Sequence, residues 1–149
     1  MDDAALSGRI KPIAPPEPDL TAEMLVERAA ALRPLLRAQQ AENDRRGHYS
    51  DEIHSAFLDG GFYRVLQPKL FGGYEFDYPT FIKVILELAR GHPATAWCYT
   101  LASSHVFLFA SHWPEAAQVE IFGDHGDVRV CQRATPAGTI TPAEGGYVV

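Results

Sequence analysis

The chain has 149 residues, 46% of them hydrophobic, which is enough to bury one core and too apolar for a disordered polymer. Its 13 basic residues against 19 acidic ones give a net charge of −6, and the single basic doublet, Arg45-Arg46, is diluted by Asp44, so nucleic acid is excluded as the main partner. Cys98 and Cys131 fall in unlike contexts with no metal or redox spacing, and both read as reduced thiols.

Residues 1–20 read as a disordered leader, because the stretch 10–19, IKPIAPPEPD, holds four prolines. No basic region followed by an apolar run precedes it, so secretion is not expected and the cytoplasm is the predicted location. Thr21 is placed to cap a helix with Leu25, Ala29, Leu32 and Leu36 on one stripe and a kink at Pro34. A second helix begins at Ser50, with Asp51 and Glu52 in its first turn and Ile53 and Phe57 one helical step apart. Gly60-Gly61 can close it in the left-handed conformation.

Residues 66–77, LQPKLFGGYEFD, form an elbow between helices. Pro68 forces Gln67 out of the helical region, Gly72-Gly73 permits a turn or a close approach, and Phe71, Tyr74 and Phe76 offer surface to bury. The plain alternative to a ligand contact is a packed interhelical loop. Pro79 suits the first turn of a third helix, about 79–90, whose only charges, Lys83, Glu87 and Arg90, make one narrow stripe. That helix should be buried on most sides.

Residues 94–113 hold no Lys, Arg, Asp or Glu, and Trp97 and Trp113 sit near the ends. A membrane span is rejected because Thr95, Thr100, Ser103, Ser104, His105, Ser111 and His112 would enter hydrocarbon, so a central buried helix is predicted. Pro114 opens a short fifth helix that stops at Gly123. From Val128 the period changes to the alternation of strands: 128–133, then 139–141, then a turn at Glu144-Gly145-Gly146 into 147–149. The expected fold is therefore mainly α, a helical domain over 21–127 followed by the start of an incomplete β-domain over 128–149.

At about 100° per residue, Trp97, Leu101 and Ser104 share a stripe and His105 lies beside it, giving an aromatic wall with a titratable group at its edge. The plain reading of His105 is a core histidine bonded to a backbone carbonyl, and that of Trp97 is packing. Alternation places one of Cys131 and Gln132 inward without saying which. His105 and His112 share a face but no carboxylate accompanies them, so no metal site is predicted. Ser103, Ser104 and His105 point in different directions on a helix and form no nucleophile–base pair. The double glycines lack the strand and helix of a dinucleotide fingerprint.

In chain order, Phe57-Leu58-Asp59-Gly60-Gly61-Phe62, the 66–77 elbow, Arg90-Gly91-His92-Pro93 and Ala94-Thr95-Ala96-Trp97 resemble the N-terminal helical domain of the acyl-CoA dehydrogenase superfamily. The resemblance covers residues 21–149 and implies a helical domain, a β-domain and a C-terminal helical bundle around a flavin. Within the superfamily, Trp97 followed eight residues later by His105, and Thr141-Pro142-Ala143-Glu144-Gly145-Gly146-Tyr147, resemble the two-component flavin-dependent monooxygenases that hydroxylate 4-hydroxyphenylacetate and secosteroid phenols. That implies a reduced FMN or FAD cofactor, a flavin reductase partner, a small aromatic substrate and a homo-oligomer, commonly a tetramer. It also implies a catalytic His105, with Trp97, Cys131 and Gln132 at the cofactor. One alternative is an acyl-CoA dehydrogenase, but its Thr-Glu-Pro and Gly-Ser-Asp signature is replaced here by Ala134-Thr135-Pro136-Ala137-Gly138-Thr139. A second is a truncated, non-catalytic folding or interaction module.

Overall fold

The computed structural model describes residues 11–123, 125–130, 135 and 138–148. Side-chain caps open three of the seven described α-helices. Thr21 accepts a hydrogen bond from the Met24 amide at 3.2 Å and opens α1 (Ala22–Ala31), and Ser50 accepts from Ile53 at 3.2 Å and opens α4 (Asp51–Asp59). Between them lie α2 (Arg33–Ala38) and α3 (Gln40–Arg46). The expected kink at Pro34 is instead a new start: Pro34 occupies the first turn of α2, where a missing amide hydrogen costs nothing.

A 3-10 turn, Phe62–Arg64, leads into the elbow, and Asp77 then caps α5 (Tyr78–Gly91) by accepting from the Thr80 amide at 2.9 Å. Extended backbone at His92, φ −153°, separates α5 from the long α6 (Pro93–His112). The chain doubles back there, so that Tyr78 at the start of α5 meets Phe107 late in α6, ring centroids 6.4 Å apart. Helix α7 (Glu115–Phe122) follows, and β1 (Thr141–Ala143) pairs antiparallel with β2 (Gly146–Val148), Thr141 opposite Val148. This hairpin starts two residues later than the alternation suggested. Val128–Val130 belong to no strand, and positions 131–133 of the expected first strand lie outside the described residues.

Phe57 centres the main core, with Tyr99 at 5.3 Å, Phe62 at 5.5 Å and Tyr49 at 5.6 Å between ring centroids. Around these rings pack Leu25, Ala29, Leu36, Ile53, Phe81, Val84 and Leu88, all fully buried. The Tyr99 hydroxyl donates to the Phe62 carbonyl at 3.0 Å, and burial holds its phenol well above the ordinary tyrosine range. A second cluster joins Phe71, Val106, Phe109 and Phe122, with Phe71 and Phe122 stacked at 4.4 Å.

Two expectations need correction. Helices α5 and α6 are not buried all round: Tyr78, Ile82, Leu86, Trp97, Leu101, Phe107 and Leu108 are exposed. Both helices are apolar on more than one side, and the described elements cover only one of them. Residues 11–20 also differ from a free leader. The Ile13 amide donates to the Leu70 carbonyl at 3.0 Å, Glu17 accepts two bonds from the Arg28 guanidinium at 2.8 Å, and Leu20 is buried. Arg28 in turn holds the Glu17 carboxyl below its usual range.

The elbow is the tightest packing in the fold. Gly72 sits at φ +76°, and a Cβ on Gly73 would lie 2.0 Å from the Gln67 carbonyl oxygen. Gly73→Ala must therefore spread the elbow, and the expected loss is about 1–3 kcal/mol, read from urea denaturation midpoints. Every residue of the β1–β2 hairpin is exposed, so its amides should exchange with deuterium well before those of α5 and α6. Equal protection would mean that the hairpin is covered in solution.

Candidate active site

Helix α6 divides along its length. Thr95, Ala96, Tyr99, Ser103, Val106 and Phe109 face the interior, while Trp97, Leu101 and Leu108 form an uncovered apolar stripe. His105 lies at the boundary and is half-buried. Ser103 faces inward, away from the stripe, so it does not serve His105 as a nucleophile.

His105 Nδ1 is 2.9 Å from the Val130 carbonyl oxygen. A carbonyl can only accept, so Nδ1 carries the hydrogen, and in the neutral ring Nε2 then keeps its lone pair. Nε2 has no partner among the described residues. The carbonyl bond anticipated for a core histidine is thus present, yet it occupies one ring nitrogen and leaves the other as an acceptor beside the apolar stripe.

Trp97 is 65% exposed and lies on the same helix, about 12 Å from His105 along the axis at 1.5 Å per residue. The helix brings the two to one surface and not into contact. Cys131 and Gln132 lie outside the described residues; they follow directly on Val130 in the chain.

Several residues that the sequence pattern did not single out hold Val130 near His105. Arg64 donates to the Gly72 carbonyl at 2.9 Å and to the His125 carbonyl at 3.0 Å. The buried Gln67 carboxamide donates to Phe71 at 2.7 Å and Gly126 at 2.6 Å. Arg129 pairs with Asp127 at 2.6 Å and stacks 5.3 Å from the Tyr63 ring centroid, while Val128 and Val130 pack on the second apolar cluster. From the sequence, Gln67 was only the residue before a proline. No local periodicity signals a hydrogen bond to a carbonyl so far along the chain.

A cavity of about 140 Å³ lies at the other end of α6, lined by Asn43, Asp44, His48, Tyr49, His92 and Cys98 among others. There His92 has both ring nitrogens engaged, Nε2 with Asp44 at 3.0 Å and Nδ1 with Thr95 at 2.8 Å, which leaves no lone pair for chemistry. Among the described residues no three His, Cys, Asp or Glu side chains gather as metal ligands, and no described helix is long and apolar enough to cross a membrane.

Residues 21–121 match the acyl-CoA dehydrogenase, N-terminal domain. The chain belongs to that family. The mainly helical fold with two late strands is the family's, as the elbow and the Arg90–Trp97 turn implied. Among relatives, the chain is 30% identical over 124 residues to the flavin-dependent monooxygenase oxygenase subunit HsaA of Rhodococcus jostii (strain RHA1), covering 83% of this chain and 32% of the relative. It is 32% identical to the oxygenase component of an FADH2-dependent resorcinol hydroxylase of Rhizobium sp. (strain MTP-10005), covering 83% and 30%. Two solved structures superpose well: the HsaA monooxygenase from M. tuberculosis, with TM-score 0.77, 26% identity and coverage of 86% and 33%, and XiaF from Streptomyces sp. in complex with FADH2 and glycerol, with TM-score 0.76, 29% identity and coverage of 85% and 32%. The chain thus spans about a third of the length of the relatives it matches. Family membership places these 149 residues at the N-terminal third of that plan.

The exposure of Trp97 has a direct consequence for stability. Trp97→Ala should change the unfolding free energy of this chain by less than about 0.5 kcal/mol, as for other surface sites, whereas Phe57→Ala should cost about 3–5 kcal/mol. Chemical denaturation of the two variants side by side measures this. A large loss at Trp97 would reveal a cover over the stripe in solution.

Proposed function

We propose that this chain is the N-terminal part of the oxygenase component of a two-component flavin-dependent monooxygenase that hydroxylates a phenolic substrate. The observation that carries the reading is His105, whose Nδ1 is tied to Val130 while Nε2 remains an acceptor at the edge of an uncovered apolar stripe. A flat aromatic substrate or cofactor ring suits Trp97, Leu101 and Leu108, since each offers apolar surface without a competing charge.

Two relatives support the substrate class through their names, one a resorcinol hydroxylase and another, from Acinetobacter baumannii, a p-hydroxyphenylacetate 3-hydroxylase. The flavin, FMN or FAD in reduced form, supplies the activation of oxygen when bound. Trp97 is the residue of this chain assigned to flank it, together with Cys131 and Gln132. A separate reductase supplies the reduced flavin, the assembly is a homo-oligomer such as a tetramer, and the cytoplasm is its compartment.

The chemistry assigned to His105 is a proton step. A phenol with a pKa near 10 keeps its proton at neutral pH, so Nε2 first accepts a hydrogen bond from the substrate hydroxyl. As the ring gives up electron density to oxygen the hydroxyl becomes more acidic, and Nε2 takes the proton. Nδ1–H, held by Val130, orients the ring and is strengthened as the imidazole becomes cationic.

The test uses the full-length parent with reduced flavin, oxygen and a panel of phenols, where formation of a catechol supports the class. His105→Ala should leave the fold intact and slow coupled hydroxylation by about a hundredfold or more, with oxygen released as hydrogen peroxide. Unchanged coupled yield, or loss of folding on His105→Ala, would sink the assignment.

A further inference from the structure

We propose that Gln67 is a positioning residue for His105: by clamping the turn at Gly126 it fixes the Val130 carbonyl that selects which imidazole nitrogen is the acceptor. In a free neutral histidine the hydrogen prefers Nε2. The Nδ1–H form requires an acceptor held in place against Nδ1, and the Val130 carbonyl at 2.9 Å is that acceptor.

Val130 packs its side chain on the second apolar cluster, and the residues before it tie its backbone to the elbow. Gly126 stands four positions upstream, at φ +59°, with its amide donating to Phe122 at 2.9 Å and its carbonyl accepting from Gln67 at 2.6 Å. A Cβ at Gly126 would lie 2.0 Å from the Phe71 carbonyl oxygen and 3.1 Å from Gln67 Nε2, so the turn is seated directly on the elbow. The Gln67 carboxamide uses both of its hydrogens there, one for Phe71 and one for Gly126. Its own backbone is equally fixed, because the Gln67 carbonyl accepts from Glu75 at 3.0 Å and Pro68 accepts from Gly73 at 3.0 Å. Gln67 is 1% exposed and does not touch His105 among the bonds described, so it acts through the 126–130 segment.

With Gln67 in place, Nε2 is an acceptor. Without it, the segment is free to withdraw the Val130 carbonyl, the ring relaxes to the Nε2–H form, and the same atom becomes a donor unable to take a proton. The chemical consequence rests on the reading of His105 given above; the choice of tautomer does not.

The experiment is imidazole 15N NMR on the 149-residue chain at a pH where His105 is neutral. The expected result is a protonated Nδ1 and an unprotonated Nε2 in the wild type. In Gln67→Met, which keeps volume and removes both donors, the ratio of the Nδ1–H to the Nε2–H form should fall roughly five- to tenfold, the scale of one net hydrogen bond. Circular dichroism and the amide spectrum of α1–α5 report that the core is intact. Should Gln67→Met not fold, Arg64→Met, which frees the His125 carbonyl from the same turn, decides the matter by a shift in the same direction. An Nε2–H majority in the wild type, or folded variants that keep its tautomer ratio, would overturn the proposal. If the ratio follows Gln67 while His105→Ala leaves coupled hydroxylation in the parent unchanged, the clamp stands and the catalytic reading of His105 fails.

Discussion

The contact of the Gly73 backbone with the Gln67 carbonyl is the constraint on which the rest depends, since a side chain at Gly73 would overlap that oxygen. The elbow folds back on itself there, and four consecutive amides seal it: Gly73 to Pro68, Tyr74 to Arg64, Glu75 to Gln67 and Phe76 to Val65. One side of this knot faces the main core through the buried Val65, Leu66 and Tyr74. The other carries Phe71 to the second cluster and Gln67 to the turn before Val130. The helical core and the segment that meets His105 are thus joined through a loop of small and planar groups.

Local signals were legible because they act over one turn of chain. Ser50 and Thr21 are caps whose hydroxyls need only the amide three residues on, and the stripe of Leu25, Ala29 and Leu36 needs only the helical period. The double glycine in the elbow was readable for the same reason, and it serves both purposes open to it, a positive φ at Gly72 and a close approach at Gly73. The exposure of Trp97, Leu86 and Ile82 was not readable. A helix without charges calls for a cover, but the sequence does not say whether the cover lies in these residues. Gln67 was missed because its partner, the Gly126 carbonyl, is a backbone atom far along the chain, and backbone acceptors leave no trace in residue identity.

Helix α6 shows how one element can serve a core and a surface at once. Its inner face is fixed by Tyr99, which gives its hydroxyl to Phe62 and its ring to Phe57. Its outer stripe holds no ionic group, and His105 at its edge turns Nδ1 to the Val130 carbonyl. The named relatives are hydroxylating oxygenases, which agrees with the loss of the dehydrogenase signature at 134–139. The chain spans about a third of those relatives, and apolar residues of α5 and α6 stand uncovered by the described elements.

Phe71 also bears on the order in which the molecule can assemble. Ile13 bridges to its backbone, Gln67 holds its carbonyl, and Phe122 stacks on its ring. A nascent chain emerging from the ribosome cannot complete this junction until α7 has been synthesised, although every residue of the Phe57 cluster is available once Tyr99 has emerged. Ile13 and the elbow can pair as soon as Phe71 has emerged, whereas the second cluster closes over Phe71 only when Phe122 arrives with α7.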